Sequence, residues 1–116
     1  MPPLVSLAEL LQKRTDYVGS RVRVTASINT SLYYNYGYRK AQETHAAFRL
    51  TDGPSTGYAY APRGSHVASG LNALATHSTA ITRELTVFID PAREKGRGLV
   101  VGEIEAVGNA VDTLEA

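Results

Sequence analysis

A one-for-one alternation of apolar and polar side chains is the feature that most constrains the fold of this chain. Between Arg21 and Asn29 every second residue is apolar, which is the period of a β-strand with one buried face. Comparable strand-like segments follow, each bounded by turn or loop residues. They are predicted at residues 44–51, 58–61, 79–90 and 99–107. Five short strands therefore make a mainly β fold.

Two helices are predicted beside these strands. Ser6 to Lys13 has Ser6 as an N-cap and Glu9 three residues later, the spacing of a capping box. Ser65 to His77 places apolar residues at helical spacing, with Val67, Leu71 and Leu74 along one face. The predicted order is a helix, three strands, a helix and two strands.

The length of 116 residues predicts a single domain, with a core at about 6–108 and a flexible tail at 109–116. Cysteine is absent, which excludes disulfides, thiol catalysis and cysteine-ligated metal centres. The N-terminus has neither a basic region nor a long apolar segment. We therefore expect no signal peptide and no membrane span, and a cytoplasmic location.

Three segments resemble bacterial OB-fold domains of the anticodon-binding and single-strand-binding type. They are Tyr17–Val24, Phe48–Gly53 and Leu99–Ile104. With the order of elements, this resemblance implies a five-stranded Greek-key OB-fold barrel over nearly the whole chain. An SH3-like barrel and another small α+β barrel remain alternatives. A Rossmann fold is excluded, because its strands would be separated by regular crossover helices.

A tyrosine-rich loop is the most unusual segment of the chain. Four of the seven tyrosines lie between the first two strands, and two cations follow them: Tyr33, Tyr34, Tyr36, Tyr38, Arg39 and Lys40. Aromatic rings with a polar tip, beside positive charge, suit stacking on bases or packing against a protein. The rings could instead pack on each other in a twisted hairpin.

The OB-fold resemblance implies a ligand site across strands 2 and 3, gripped by the loops between strands 1 and 2 and between strands 4 and 5. The second of these loops carries Arg93, Lys95 and Arg97. The strand face would add His45, Arg49, Tyr58 and Tyr60. Tyr58 and Tyr60 could instead fill the barrel, Arg49 could pair with a carboxylate, and the basic loop could simply be solvated.

The charge balance limits any role of electrostatics. Twelve basic and eleven acidic residues leave a formal net charge of +1, whereas proteins that depend on phosphate attraction are usually far more basic. The histidines His45, His66 and His77 form no ligand or catalytic motif. We therefore expect neither an enzyme nor a bound metal or cofactor.

The sequence thus predicts a small protein that binds single-stranded nucleic acid by tyrosine stacking and basic loops. DNA is favoured over RNA, although no residue pattern separates them. The alternative is a protein-interaction module, a subunit of a larger complex or a homodimer, that uses the tyrosine-rich loop. An oligosaccharide-binding domain is a third reading.

Overall fold

The computed structural model describes residues 2–31, 44–75, 80–89 and 100–110. The strands are β1 (Arg21–Ser31), β2 (His45–Asp52), β3 (Ser55–Pro62), β4 (Ile81–Phe88) and β5 (Val100–Ala110). The helices are α1 (Leu7–Gln12), α2 (Arg14–Tyr17) and α3 (His66–Leu74). The five predicted strands and both predicted helices are present in the predicted order, and α2 is an additional short helix.

The five strands form a closed barrel in the order β1-β2-β3-β5-β4, because β4 pairs back onto β1. Every pairing is antiparallel except that of β3 with β5, which is parallel. The helix α3 lies between β3 and β4 in the chain. Closure leaves the sheet without long unpaired edges.

The barrel interior holds the core. The alternation predicted for β1 is confirmed, because its apolar residues are buried and the residues between them are less so. Side chains from all five strands and from α1 and α3 share one cluster, which includes Leu7, Leu10, Val22, Val24, Ile28, Phe48, Leu50, Ala59, Ala61, Leu71, Leu85, Val87 and Ile104. The outward-facing residues of each strand are therefore the ones free to form a site.

The N-terminal helices are joined by side-chain bonds. Ser6 accepts the backbone N–H of Glu9, as the capping-box spacing predicts. The Glu9 carboxylate accepts a hydrogen bond from the Tyr17 hydroxyl of α2. This bond, more than any other cause, raises the pKa of Tyr17 above its ordinary value, since removing the phenol proton would break it. The contact ties α2 to α1.

Helix α3 is capped by Ser65, whose Oγ accepts the N–H of Ala68 at 3.1 Å and donates to the Pro62 carbonyl at 2.6 Å. Its buried residues are Ala68 and Leu71. Leu74, predicted to share the inward face, is 48% exposed, because the helix ends there and Ala75 is already extended. No described helix is long enough to span a membrane, and the longest has nine residues.

Candidate ligand-binding face

On the outer side of β1, β2 and β3, and of the adjoining part of β5, residues that are directly opposed across the strands form rows. One row across the strands is Asn29, Arg49 and Tyr58. The next row is Ser31, Ala47, Tyr60 and Glu103. These positions alternate with core residues, so their side chains point away from the barrel interior. We call this set, with His45, the outer face.

Arg49 is the exposed cation at the centre of the outer face. Opposed residues in an antiparallel pair have Cα atoms about 4.5–5.5 Å apart, so Arg49 lies within side-chain reach of both Asn29 and Tyr58. Within the ranges that the structure describes, its guanidinium forms no ion pair or hydrogen bond. The alternative in which Arg49 pairs with a carboxylate is therefore not observed there.

The outward arginines of β1, unlike Arg49 on β2, are paired with carboxylates. Arg21 binds Glu105 through two hydrogen bonds of 2.6 and 3.1 Å, and its guanidinium lies 5.2 Å from the centre of the Phe88 ring. The pKa of Arg21 is raised, first by the hydrogen bond to Glu105 and then by the charge of that carboxylate. Arg23 binds Glu84 at 2.9 Å. On the three strands of the outer face, Arg49 is thus the arginine whose charge no described residue offsets.

Tyr58 and Tyr60 lie on the outer side of β3, because they alternate along the strand with Ala59 and Ala61, which point into the core. The structure therefore has the arrangement in which alanines, and not tyrosines, fill the barrel. Tyr58 is half-buried, whereas Tyr60 is fully buried despite its outward position. Stacking of a ligand on Tyr60 would thus require the atoms that cover it to move, while Tyr58 presents part of its surface directly.

A histidine–glutamate pair borders the outer face. The Nδ1 of His45 lies 2.7 Å from the hydroxyl of Thr44, and its Nε2 lies 4.0 Å from Oε1 of Glu103. When the imidazole of His45 is protonated, its positive charge offsets the negative charge of Glu103. Asn29, only 9% exposed, and Glu103 were not among the predicted site residues. The signal that could have found Asn29 is the β1 alternation, which places it on the face opposite Ile28.

The predicted loop residues lie outside the described part of the chain. These are Tyr33, Tyr34, Tyr36, Tyr38, Arg39, Lys40, Arg93, Lys95 and Arg97. The strand ends that flank them can be placed. Ser31 and His45 end one connection on the outer face, and Val100, where β5 begins, pairs with Tyr58. The first connection therefore begins and ends on the outer face, and the second ends beside Tyr58.

Metal ligation finds no support in the described ranges, where no three histidine, aspartate or glutamate side chains come together. The arrangement instead offers a half-buried ring, a guanidinium that no described residue pairs with, and an amide. These groups can stack on a planar ligand, hold an anion and form directed hydrogen bonds.

Comparison with known proteins supports the fold alone. No model of a protein family matches the chain, and no curated protein matches its sequence. In structure it is similar to a protein from Leishmania major Friedlin whose crystal structure is described as that of an aspartyl-tRNA synthetase, with a TM-score of 0.61 and 13% identity. The match covers 97% of this chain and 21% of that one. This chain thus spans about one fifth of the protein that it resembles.

Proposed function

We propose that the chain is an OB-fold domain that binds single-stranded nucleic acid across its outer face. The closed order β1-β2-β3-β5-β4, with α3 between β3 and β4, is the arrangement expected of that fold. The similarity to part of a chain described as an aspartyl-tRNA synthetase is in keeping with it. In OB-folds the strand 2–3 surface is where oligonucleotides and oligosaccharides bind.

The observation that carries this proposal is the Arg49–Tyr58 pair. The two residues are directly opposed on β2 and β3, Arg49 is exposed, and its charge has no partner in the described ranges. A base can stack on the Tyr58 ring while the guanidinium holds the adjoining phosphate. Asn29, opposed to Arg49 on the other side, offers an amide to a base edge or a sugar.

Stacking is expected to contribute more than charge to this binding. Each stacked base contributes about 1–3 kcal/mol, whereas each phosphate contact with a single strand adds only about 0.7 to the salt slope. Arg49 and about three of the loop cations would give a slope of about −2 to −3. Such mild salt dependence agrees with a net charge of +1.

The test is a fluorescence-anisotropy titration with labelled oligo-dT and mixed-sequence single strands, at low and moderate salt. Tyr58→Ala should weaken binding about tenfold, through loss of about 1.4 kcal/mol of stacking, while Tyr58→Phe keeps the ring and should bind normally. Arg49→Gln should weaken binding, and Lys13→Gln, which removes an exposed charge between α1 and α2, should not. Absence of binding at tens of micromolar, or equal affinity of Tyr58→Ala and the wild type, would reject the proposal.

The tyrosine-rich loop remains a predicted part of the same site, and a protein partner or homodimer remains the second proposal for it. Light scattering that shows a dimer, with a Kd unaffected by oligonucleotide, would favour this second proposal. In that case Arg49→Gln should leave binding to the protein partner unchanged. A cysteine-free domain suits a cytoplasmic setting in either case.

A further inference from the structure

A row of hydroxyl residues crosses four neighbouring strands next to the outer face. Thr82 on β4 opposes Ser27 on β1, Ser27 opposes Thr51 on β2, and Thr51 opposes Thr56 on β3. The hydroxyls of Ser27 and Thr82 form a hydrogen bond, with 3.2 Å between their oxygens. The row therefore presents several neutral groups, each able both to donate and to accept hydrogen bonds.

Two adjoining depressions lie along this row. The first, of about 310 Å³, is lined by the side chains of Thr25, Ser27, Thr51, Asp52 and Thr82. The second, of about 360 Å³, shares Thr25 and Asp52 with the first and adds Leu4, Val5 and Ser6. Each is at the lower end of the size range of small-molecule sites. One wall is thus apolar, and the rest is lined by hydroxyls and one carboxylate.

The backbone pairing of β1 has a gap, on the side that faces β2, next to these two depressions. The N-terminal segment bonds β1 at Arg23, through Pro3 and Val5, while the pairing of β2 with β1 begins at Ser27. Thr25 lies midway between Arg23 and Ser27, so its N–H and C=O point to the same side of β1 as those of Arg23 and Ser27. These backbone groups face the depressions and can bind what occupies them.

Several of the lining groups are available to a ligand. Across the ranges that the structure describes, the hydroxyls of Thr25 and Thr51 and the carboxylate of Asp52 make no hydrogen bond or ion pair. None of the described lining residues is basic, so nothing there would offset the charge of a bound anion beside Asp52. The chemistry favours a neutral ligand with several hydroxyl groups.

We propose that these depressions bind a neutral sugar ring through a vicinal diol. The Asp52 carboxylate would accept hydrogen bonds from two adjacent hydroxyls, as acidic residues do on ribose in dinucleotide sites. Thr25, Ser27 and Thr51 bind the remaining ring oxygens, and Leu4 and Val5 pack against the C–H face. This site does not depend on the Arg49–Tyr58 pair and does not require nucleic-acid binding.

A diol of this kind can come from a ribose or from a free pyranose. The experiment is an amide NMR titration of the full chain with methyl β-D-ribofuranoside, methyl α-D-mannopyranoside and methyl 2-deoxy-β-D-ribofuranoside. We expect saturable, millimolar shifts at Thr25, Ser27, Thr51 and Gly53 with one or both diol sugars, and at least fivefold weaker binding of the deoxy sugar. The diol sugar that binds more tightly identifies the source.

Two conservative variants test the assigned roles. Asp52→Asn should weaken sugar binding about tenfold, because a hydrogen bond to a charged acceptor is lost, and Thr51→Val should weaken it without a change in side-chain shape. Asp16→Asn removes an exposed carboxylate on α2 and should leave the affinity unchanged. No saturable shift with either diol sugar, equal binding of the deoxy sugar, or normal binding by Asp52→Asn would overturn the proposal.

Discussion

Replacement of Gly102 by alanine tests how the barrel closes between β4 and β5. A Cβ built at this position would lie 2.0 Å from the carbonyl oxygen of Phe88, an atom of the neighbouring backbone. Real Cβ contacts are essentially never shorter than 3.0 Å, so β4 and β5 would have to separate by about 1 Å. A flexible side chain could move aside, but a strand in a closed barrel cannot do so without loss of pairing.

The cost of Gly102→Ala follows from the pairs beside the glycine. Val87 opposes Ile104 and Phe88 opposes Glu103, so two or three hydrogen bonds of the β4–β5 pairing would be weakened. At about 0.5–1.5 kcal/mol each, the free energy of unfolding should fall by about 3 kcal/mol. That is a large part of the 5–15 kcal/mol, roughly, that a domain has in total. With an m-value of about 1–3 kcal/mol/M, the urea midpoint should fall by about 1–3 M.

Two other glycines serve as matched controls in the same urea-unfolding assay. Gly64 has a φ of 86° but open space around a Cβ, so Gly64→Ala should cost only about 1–2 kcal/mol of backbone strain. Gly70 lies within α3 with open space around it, and Gly70→Ala should stabilise the protein by about 0.5–1 kcal/mol. If Gly102→Ala unfolds within 1 kcal/mol of the wild type, or costs no more than Gly64→Ala, the steric argument is refuted.

Three further predictions concern a helix cap, a titration and the binding face. Ser65→Ala should lower the free energy of unfolding by about 1 kcal/mol in urea, because the N–H of Ala68 loses its acceptor, and an unchanged midpoint would contradict this. The raised pKa of Tyr17 means that the folded state keeps a proton that the unfolded state loses above pH 10. The wild type should therefore lose its stability advantage over Tyr17→Phe as the pH rises above 10. A difference that stays constant with pH would contradict the role of the bond to Glu9. If Arg49 holds one phosphate, Arg49→Gln should reduce the salt slope of oligonucleotide binding by about 0.7, and an unchanged slope would remove that contact.

Sequence patterns located most of the elements because each strand and helix carries its own local signal. The alternation in β1 identified its buried face, and the turn residues at Asp52 and Gly53 marked where β2 ends. Boundaries were less well predicted. β3 begins at Ser55, three residues before the predicted start, because Ser55 and Thr56 pair with Asp52 and Thr51 across the turn. Pairing partners, and not propensity, decided that boundary.

The candidate site was only partly predictable from the residues. Arg49 and Tyr58 could be proposed from their strand positions, but their direct opposition depends on the β2–β3 register. Tyr60 shows the limit of the alternation rule, since it points outward and is nevertheless fully buried. The hydroxyl row carries little local signal either, because Thr82 and Ser27 lie far in the chain from the Thr51–Thr56 pair of the β2–β3 hairpin.

The sequence by itself determined which segments are strands and helices and which side of each strand is apolar, because period and capping are properties of neighbouring residues. The tertiary structure alone decided that β5 inserts between β3 and β4, and that Arg49, Tyr58 and the hydroxyl row share one surface. Apart from the Arg49–Tyr58 pair of the β2–β3 hairpin, those are relations between segments distant in the chain. They depend on strand register and barrel closure, which arise only when the whole core packs together.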